Sequence, residues 1–153
     1  MGLRRKAREL AVQAMYALDY TESESEYREF TLLNTYPSIL QAIAEQEELK
    51  PDNPSLPFAE ELIRNTIIHL EEIEKRIAAH SDNWSLQRII SLDRNILRVA
   101  GYEMLFTDTP AGVIINEAIE IAKKYSSESS GKFINGVLDA VKHELELERQ
   151  LSG

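Results

Sequence analysis

Between Thr109 and Leu147 the apolar residues recur at helical spacing twice, with one short polar interruption, and this commits the region to two amphipathic helices. Thr109 is placed to cap the first, and Pro110 suits a first helical position, where its missing N–H costs nothing. Ile114, Ile115, Ala118, Ile119, Ala122 and Tyr125 form the buried side; Glu117, Glu120, Lys123 and Lys124 fall mainly on the wet side. The connector SSESSG offers several caps before Phe133, Ile134, Val137, Leu138, Val141 and Leu145 resume the period. A short connector makes the two helices antiparallel neighbours. Neither hides its apolar stripe alone, so the hairpin is expected to be a floor on which other helices pack, with Gly136 marking a close approach of another backbone.

The rest of the chain reads the same way and predicts an all-α fold. Leu3 to Tyr20 forms a first helix, with Leu3, Ala7, Leu10, Ala11, Ala14 and Leu18 on the packed side and Arg4, Arg5, Arg8, Val12 and Tyr16 on the side away from it. Thr21 to Pro54 is acidic and less decided. Tyr27, Phe30 and Leu33 suggest one helical piece, Pro37 interrupts it, and Ile39, Leu40 and Ile43 suggest another before the Pro51–Pro54 loop. With Ser55 as cap and Pro57 in the first turn, a helix of about six turns then carries Ala59, Leu62, Ile63, Thr66, Ile67, Leu70, Ile73 and Ile77, a length suited to a central core helix. Asn83 to Ile90 reads as a turn and a short helical piece anchored by Trp84. Ser91 caps a further helix with Leu92, Ile96 and Val99 on its buried side and Asp93 near its positive end.

Composition narrows the functional classes. The 153 residues include no cysteine, which excludes a disulfide framework, a thiolate metal site and a cysteine nucleophile, and suits a reducing cytoplasm. No run approaches the roughly 18 apolar residues of a membrane span, and the basic start is followed by no apolar signal segment. His69 and His80 are too far apart on one helix, roughly 16 Å, to share a metal. No Gly-rich phosphate loop, nucleophile elbow or Glu-x-x-His pair occurs, so no metal, cofactor or catalytic residue is assigned and a non-enzyme is expected.

Recognition is the stronger reading. The net charge of −9 would ordinarily count against a nucleic-acid partner, but Arg4, Arg5, Lys6 and Arg8 crowd the first eight positions, and a local basic patch acts within a Debye length of about 8 Å. Tyr16 stands on the same face two to three turns on, a ring beside a phosphate-binding row. Positive charge at a helix N-terminus also opposes the helix dipole, so its placement invites a functional explanation. Lys132 and Phe133, at the start of the last helix, are either a core aromatic with a solvated neighbour or a second stacking point. If the two surfaces adjoin, they make one platform for single-stranded RNA. Arg94 and Arg98, an i, i+4 pair, are either bridged or solvated within their helix or contact a partner. A helical protein-interaction adaptor, or a self-associating bundle without RNA, is the competing reading, and a homodimer stays open.

Three blocks carry a resemblance: the head LRRKARELAVQAMYALD, the central SLDRNILRVAGYEML, and PAGVIINEAIEIAKKYSSESSGKFINGVLDAV. In this order they resemble the bacterial transcription antitermination factor family NusB, over nearly the whole chain apart from Thr21 to Pro54. The resemblance implies a compact bundle of about six to seven helices in two packed helical subdomains, roughly 1–80 and 81–153. It further implies a cytoplasmic factor of the RNA polymerase antitermination complex that binds boxA-type single-stranded RNA with the small-subunit ribosomal protein NusE. Carried over by position, Arg4, Arg5, Lys6, Arg8 and Tyr16 fall on the family's RNA-binding motif, Lys132 and Phe133 on its second RNA contact, and Asp93, Arg94 and Arg98 on the side facing the ribosomal protein. Glu128 and Ser129 depart from the acidic pair expected there. The N-terminal domain of an RNA cytosine methyltransferase would share the fold, but the chain length leaves no room for a methyl-donor domain.

Overall fold

The computed structural model of the chain describes residues 2–20, 26–81 and 89–152, and among these the regular structure is helical throughout. The chain divides into two compact units, Met1–His69 and Leu70–Gly153. The first holds α1 (Gly2–Asp19), α2 (Arg28–Gln46) and α3 (Ser55–Ile68); the second holds α4 (Leu70–Ala78), α5 (Ser91–Phe106), α6 (Ala111–Tyr125) and α7 (Glu128–Ser152). The piece expected around Trp84 lies outside the described residues.

In the first unit each helix packs against the other two. On α1, Ala7, Leu10, Ala11, Ala14, Met15 and Leu18 are buried, the alanines letting neighbouring helices come close. Leu3, expected on this face, is 41% exposed, because it lies in the terminal turn beyond the packed stretch. On α2 the buried residues Leu32, Tyr36, Leu40 and Ala44 recur at every fourth position. That stripe explains why Pro37 does not interrupt the helix: only an unbroken helix keeps all four residues on one side. A proline inside a helix costs about 3 kcal/mol through a lost hydrogen bond and a clash. Burial of large side chains on both flanks, at about 1.5–3 kcal/mol each, offsets it. The turns around Pro37 gain further bonds from side chains, with Asn34 donating to the Phe30 carbonyl (2.7 Å), Thr35 to Thr31 (2.7 Å) and Ser38 to Thr35 (3.0 Å). Tyr27 and Phe30, which suggested a helical piece here, are exposed.

Just past α2, Glu48 has a φ of 58°, in the left-handed region, which lets the Leu49 N–H reach back to the Ala44 carbonyl at 2.9 Å. The expected cap of α3, Ser55, is instead its first helical residue. Asn53 serves that end, its Oδ1 accepting from both the backbone N–H (2.9 Å) and the hydroxyl (2.7 Å) of Ser55. The single long helix expected from Ser55 to Ile77 is divided at His69, with φ −104° and ψ 16°. Its apolar stripe serves two cores: Leu62, Ile63 and Ile67 belong to the first unit, and Leu70, Ile73 and Ile77 to the second.

The second unit is arranged around α5, which packs against α4, α6 and α7 and buries ten consecutive residues from Asn95 to Met104. It thus takes the central place expected for the preceding helix. Gly101 permits this crowding: a Cβ there would stand 2.9 Å from Ile73 Cγ2 and 3.3 Å from Ile77 Cδ1. The close approach expected at Gly136 does not occur, since a Cβ there would meet nothing within 4 Å.

The α6–α7 hairpin forms as the spacing predicts, with shifted boundaries. Pro110 occupies the cap position of α6, and Thr109 donates its N–H to the Thr107 hydroxyl (3.3 Å) instead of capping. Ser127 caps α7, its hydroxyl accepting from the Ser130 N–H at 3.1 Å, so the connector shrinks to Ser126 and Ser127. Beyond Val141, α7 runs on with no fully buried residue, and Leu151 is 88% exposed. Among the described residues no helix is long and apolar enough to cross a membrane.

Candidate nucleic-acid interface

The basic head forms the first turns of α1, and packing sorts its four cations. Arg4 is exposed, its guanidinium 5.0 Å from the centre of the Phe58 ring, which orients it by a cation–π contact. Arg5 and Lys6 are half-buried, and the Lys6 ammonium is paired with Glu47 at the end of α2. Arg8 is buried at 5% exposure, together with Val12, and this corrects the expectation that both lie on an outer face. Because α1 packs against both α2 and α3, the cations that keep exposed surface are Arg4, Arg5 and Lys6, with ring side chains further along.

Those rings are Tyr16, half-buried, and Tyr20, exposed. They meet edge to face with centres 5.3 Å apart and hydroxyls 2.8 Å apart. The hydrogen bond it shares with Tyr16 holds the Tyr20 hydroxyl pKa above its ordinary value, since a hydroxyl that donates is harder to deprotonate. Tyr20 was not singled out by sequence reasoning, although its i, i+4 spacing from Tyr16 is a usable signal. Phe58 and Glu47 lie too far along the chain from their partners to be found that way.

In the second unit Lys132 is exposed and Phe133 half-buried. Phe133 stands in the second turn of α7, not at its start, because the helix already begins at Glu128. Lys132 follows Gly131, at which a Cβ would lie 3.5 Å from Ile119 Cγ2 and 3.9 Å from Lys123 Cγ, so the Lys123 stem lies along the glycine. Lys123, Lys124 and Tyr125 close α6, all three exposed, with the Lys124 ammonium 5.2 Å from the Tyr125 ring centre. Tyr125 was expected on the buried face. It sits at the helix end, past the last buried residue, Ala122.

The three residues expected to face a protein partner separate likewise. Asp93 is buried, its carboxyl pKa raised by desolvation and partly offset by a hydrogen bond with Ser130, and its Oδ1 has no hydrogen-bond partner among the described residues. Arg98, at 4% exposure, binds Glu74 of α4 through Nη2 (2.6 Å) and Nε (3.1 Å) and Asn95 through Nη1 (2.9 Å). It is neither solvated nor available to a partner, because a neighbouring helix supplies the carboxylate that compensates its burial. Arg94 alone of the three is half-exposed, with Nη1 directed at the Ile89 carbonyl (3.5 Å).

The sequence model of the NusB family matches residues 5–143. Transcription antitermination protein NusB of Desulfitobacterium hafniense is 45% identical over 139 residues, covering 90% of this chain and 86% of the relative. The protein of that name from Solibacter usitatus is 41% identical over 145 residues, covering 95% and 92%. Among solved structures, T. maritima NusB aligns with a TM-score of 0.73 at 36% identity, covering 92% of this chain and 91% of that one. A crystal structure of the antitermination factors NusB and NusE in complex with double-stranded RNA aligns with a TM-score of 0.74 at 28% identity, covering 92% and 96%.

Proposed function

The chain belongs to the NusB family, and on that premise we propose that it is a non-catalytic transcription antitermination factor that binds RNA together with the ribosomal protein NusE. The relative solved with both NusE and RNA is the observation that carries the reading. The exposed cations and rings of this chain supply the chemistry. Arg4, Arg5 and Lys6, the last exchanging Glu47 for a phosphate, would hold the RNA backbone in the first unit, with Tyr16 offering a base-stacking ring. Lys132 and Phe133 would do the same in the second. Arg94 is the residue we assign to NusE, since Asp93 and Arg98 are occupied inside the unit.

The RNA we assign is single-stranded and boxA-like, from nascent ribosomal transcripts in the cytoplasm, bound within the RNA polymerase antitermination complex. Half-buried rings suit splayed bases better than a closed duplex, whose bases are stacked on each other. Anisotropy with a labelled boxA-like strand, a scrambled strand and a duplex, each with and without NusE, tests this. Four phosphate contacts would give a log–log salt slope near −3 for a single strand, so a fourfold rise in salt should weaken binding about fiftyfold. Equal affinity for the scrambled strand would remove the boxA assignment, and a preference for the duplex would remove the single-strand one. Absence of RNA binding with NusE binding intact would favour a protein adaptor.

A further inference from the structure

Lys124, Lys123, Gly131, Lys132 and Phe133 form one unbroken path over the corner where α6 meets α7. Lys124 and Lys123 are chain neighbours, the Lys123 stem lies against Gly131, and Lys132 and Phe133 follow directly. The glycine matters because it adds no side chain of its own where the Lys123 stem approaches α7. Among the described residues neither Lys123 nor Lys132 takes part in an ion pair, although the chain carries 26 acidic residues against 17 basic ones. Lys123 and Lys132, two cations outside any ion pair in so acidic a chain, leave positive charge at this corner that an anionic ligand would neutralise.

We propose that Lys123 and Lys124 are further RNA-binding residues, extending the contact at Lys132 and Phe133 across the α6–α7 corner by two phosphates. Tyr125 is a positioning residue: its ring lies under the Lys124 ammonium and restricts the lysine before RNA arrives. The inference rests on the RNA-binding reading above. A purely structural role is the alternative, since lysines in a last helical turn favour the helix dipole by about 0.3–1 kcal/mol. That role would act on stability and leave binding alone.

The two are separated by comparing the full chain with its Lys123→Gln/Lys124→Gln and Lys123→Arg/Lys124→Arg forms, by RNA anisotropy between 0.1 and 0.4 M salt and by thermal unfolding. At roughly 0.7 per phosphate on a single strand, the glutamine pair should make the salt slope shallower by about 1.4 and weaken binding at 0.1 M by more than about tenfold. The arginine pair should restore both, with unfolding midpoints close together. Unchanged slopes would overturn the proposal, and a lowered midpoint beside them would assign the lysines to the helix end. Loss of NusE binding with RNA binding intact would also overturn it, giving the corner to the protein partner. A parent chain that binds no RNA would remove the RNA-binding reading and this inference together, whereas a parent that binds and a glutamine pair that matches it would remove only the inference.

Discussion

A single missing carbon sets how closely two helices approach at Gly101. The space a Cβ would need is taken by Ile73 and Ile77, both fully buried and themselves hemmed in. Gly101→Ala would gain about 1 kcal/mol in helix propensity. The contact of 2.9 Å to Ile73 Cγ2 requires α4 and α5 to part, and overpacking of this kind costs about 1–3 kcal/mol. The expected outcome is net destabilisation, read as a lower urea midpoint with an unchanged m-value. The same change at Gly136, which faces open space, should stabilise the chain and serves as the control. Neither glycine could be ranked from sequence alone, because a glycine inside a helical period carries no sign of which neighbour, if any, lies against it.

At the scale of elements, α4 and α7 are tied by charge. Arg76 donates from Nη1 to Glu144 (2.6 Å) and to Glu148 (2.7 Å) and from Nη2 to Glu148 (3.1 Å), while His80 lies 3.1 Å from the second oxygen of Glu144. The hydrogen bond from Arg76 holds the Glu144 carboxyl below its usual value, with His80 adding to the effect. Its contribution is therefore complete above the unfolded carboxyl pKa of about 4.3 and is lost as pH falls through the lower folded value. Asp93 has the opposite sign: burial raises its pKa, so its ionisation weighs against the fold and the penalty is relieved as pH falls. Urea midpoints from pH 7 to 3 should accordingly show Glu144→Gln losing less stability with acid than the parent, and Asp93→Asn losing more. Parallel curves for all three chains would refute this. The elements themselves were largely legible. The α6–α7 hairpin follows from strict three- and four-residue spacing, but the break at His69 was hidden because the apolar period continues across it, and the passage of α2 through Pro37 was hidden because packing overrode a local rule. Lys132 and Phe133 could be picked out as a lysine beside a ring. The burial of Arg8, and the bridge from Arg98 to Glu74 across 24 residues of sequence, depend on neighbours that spacing does not reveal.

Taken whole, the chain presents RNA with two opposed fields. Its net charge of −9 repels a polyanion at long range, while the exposed cations attract it at contact. At about 0.1 M salt the Debye length is near 10 Å and only the local cations count; at about 0.01 M it reaches 30 Å and the whole charge is felt. The plot of log affinity against log salt should therefore curve, with a slope shallower at the low-salt end than above 0.1 M. A straight line over that range would mean that the acidic surface is not sensed by the ligand. Helix α7 carries one more consequence. Its last turns lie beyond the final fully buried residue, and the family match stops at residue 143. With no native thiol anywhere in the sequence, Leu151→Cys would offer a maleimide dye one unambiguous attachment point, remote in sequence from every cation assigned to RNA. Fluorescence from that dye would follow complex assembly in real time while leaving the packed helices of both units as they are.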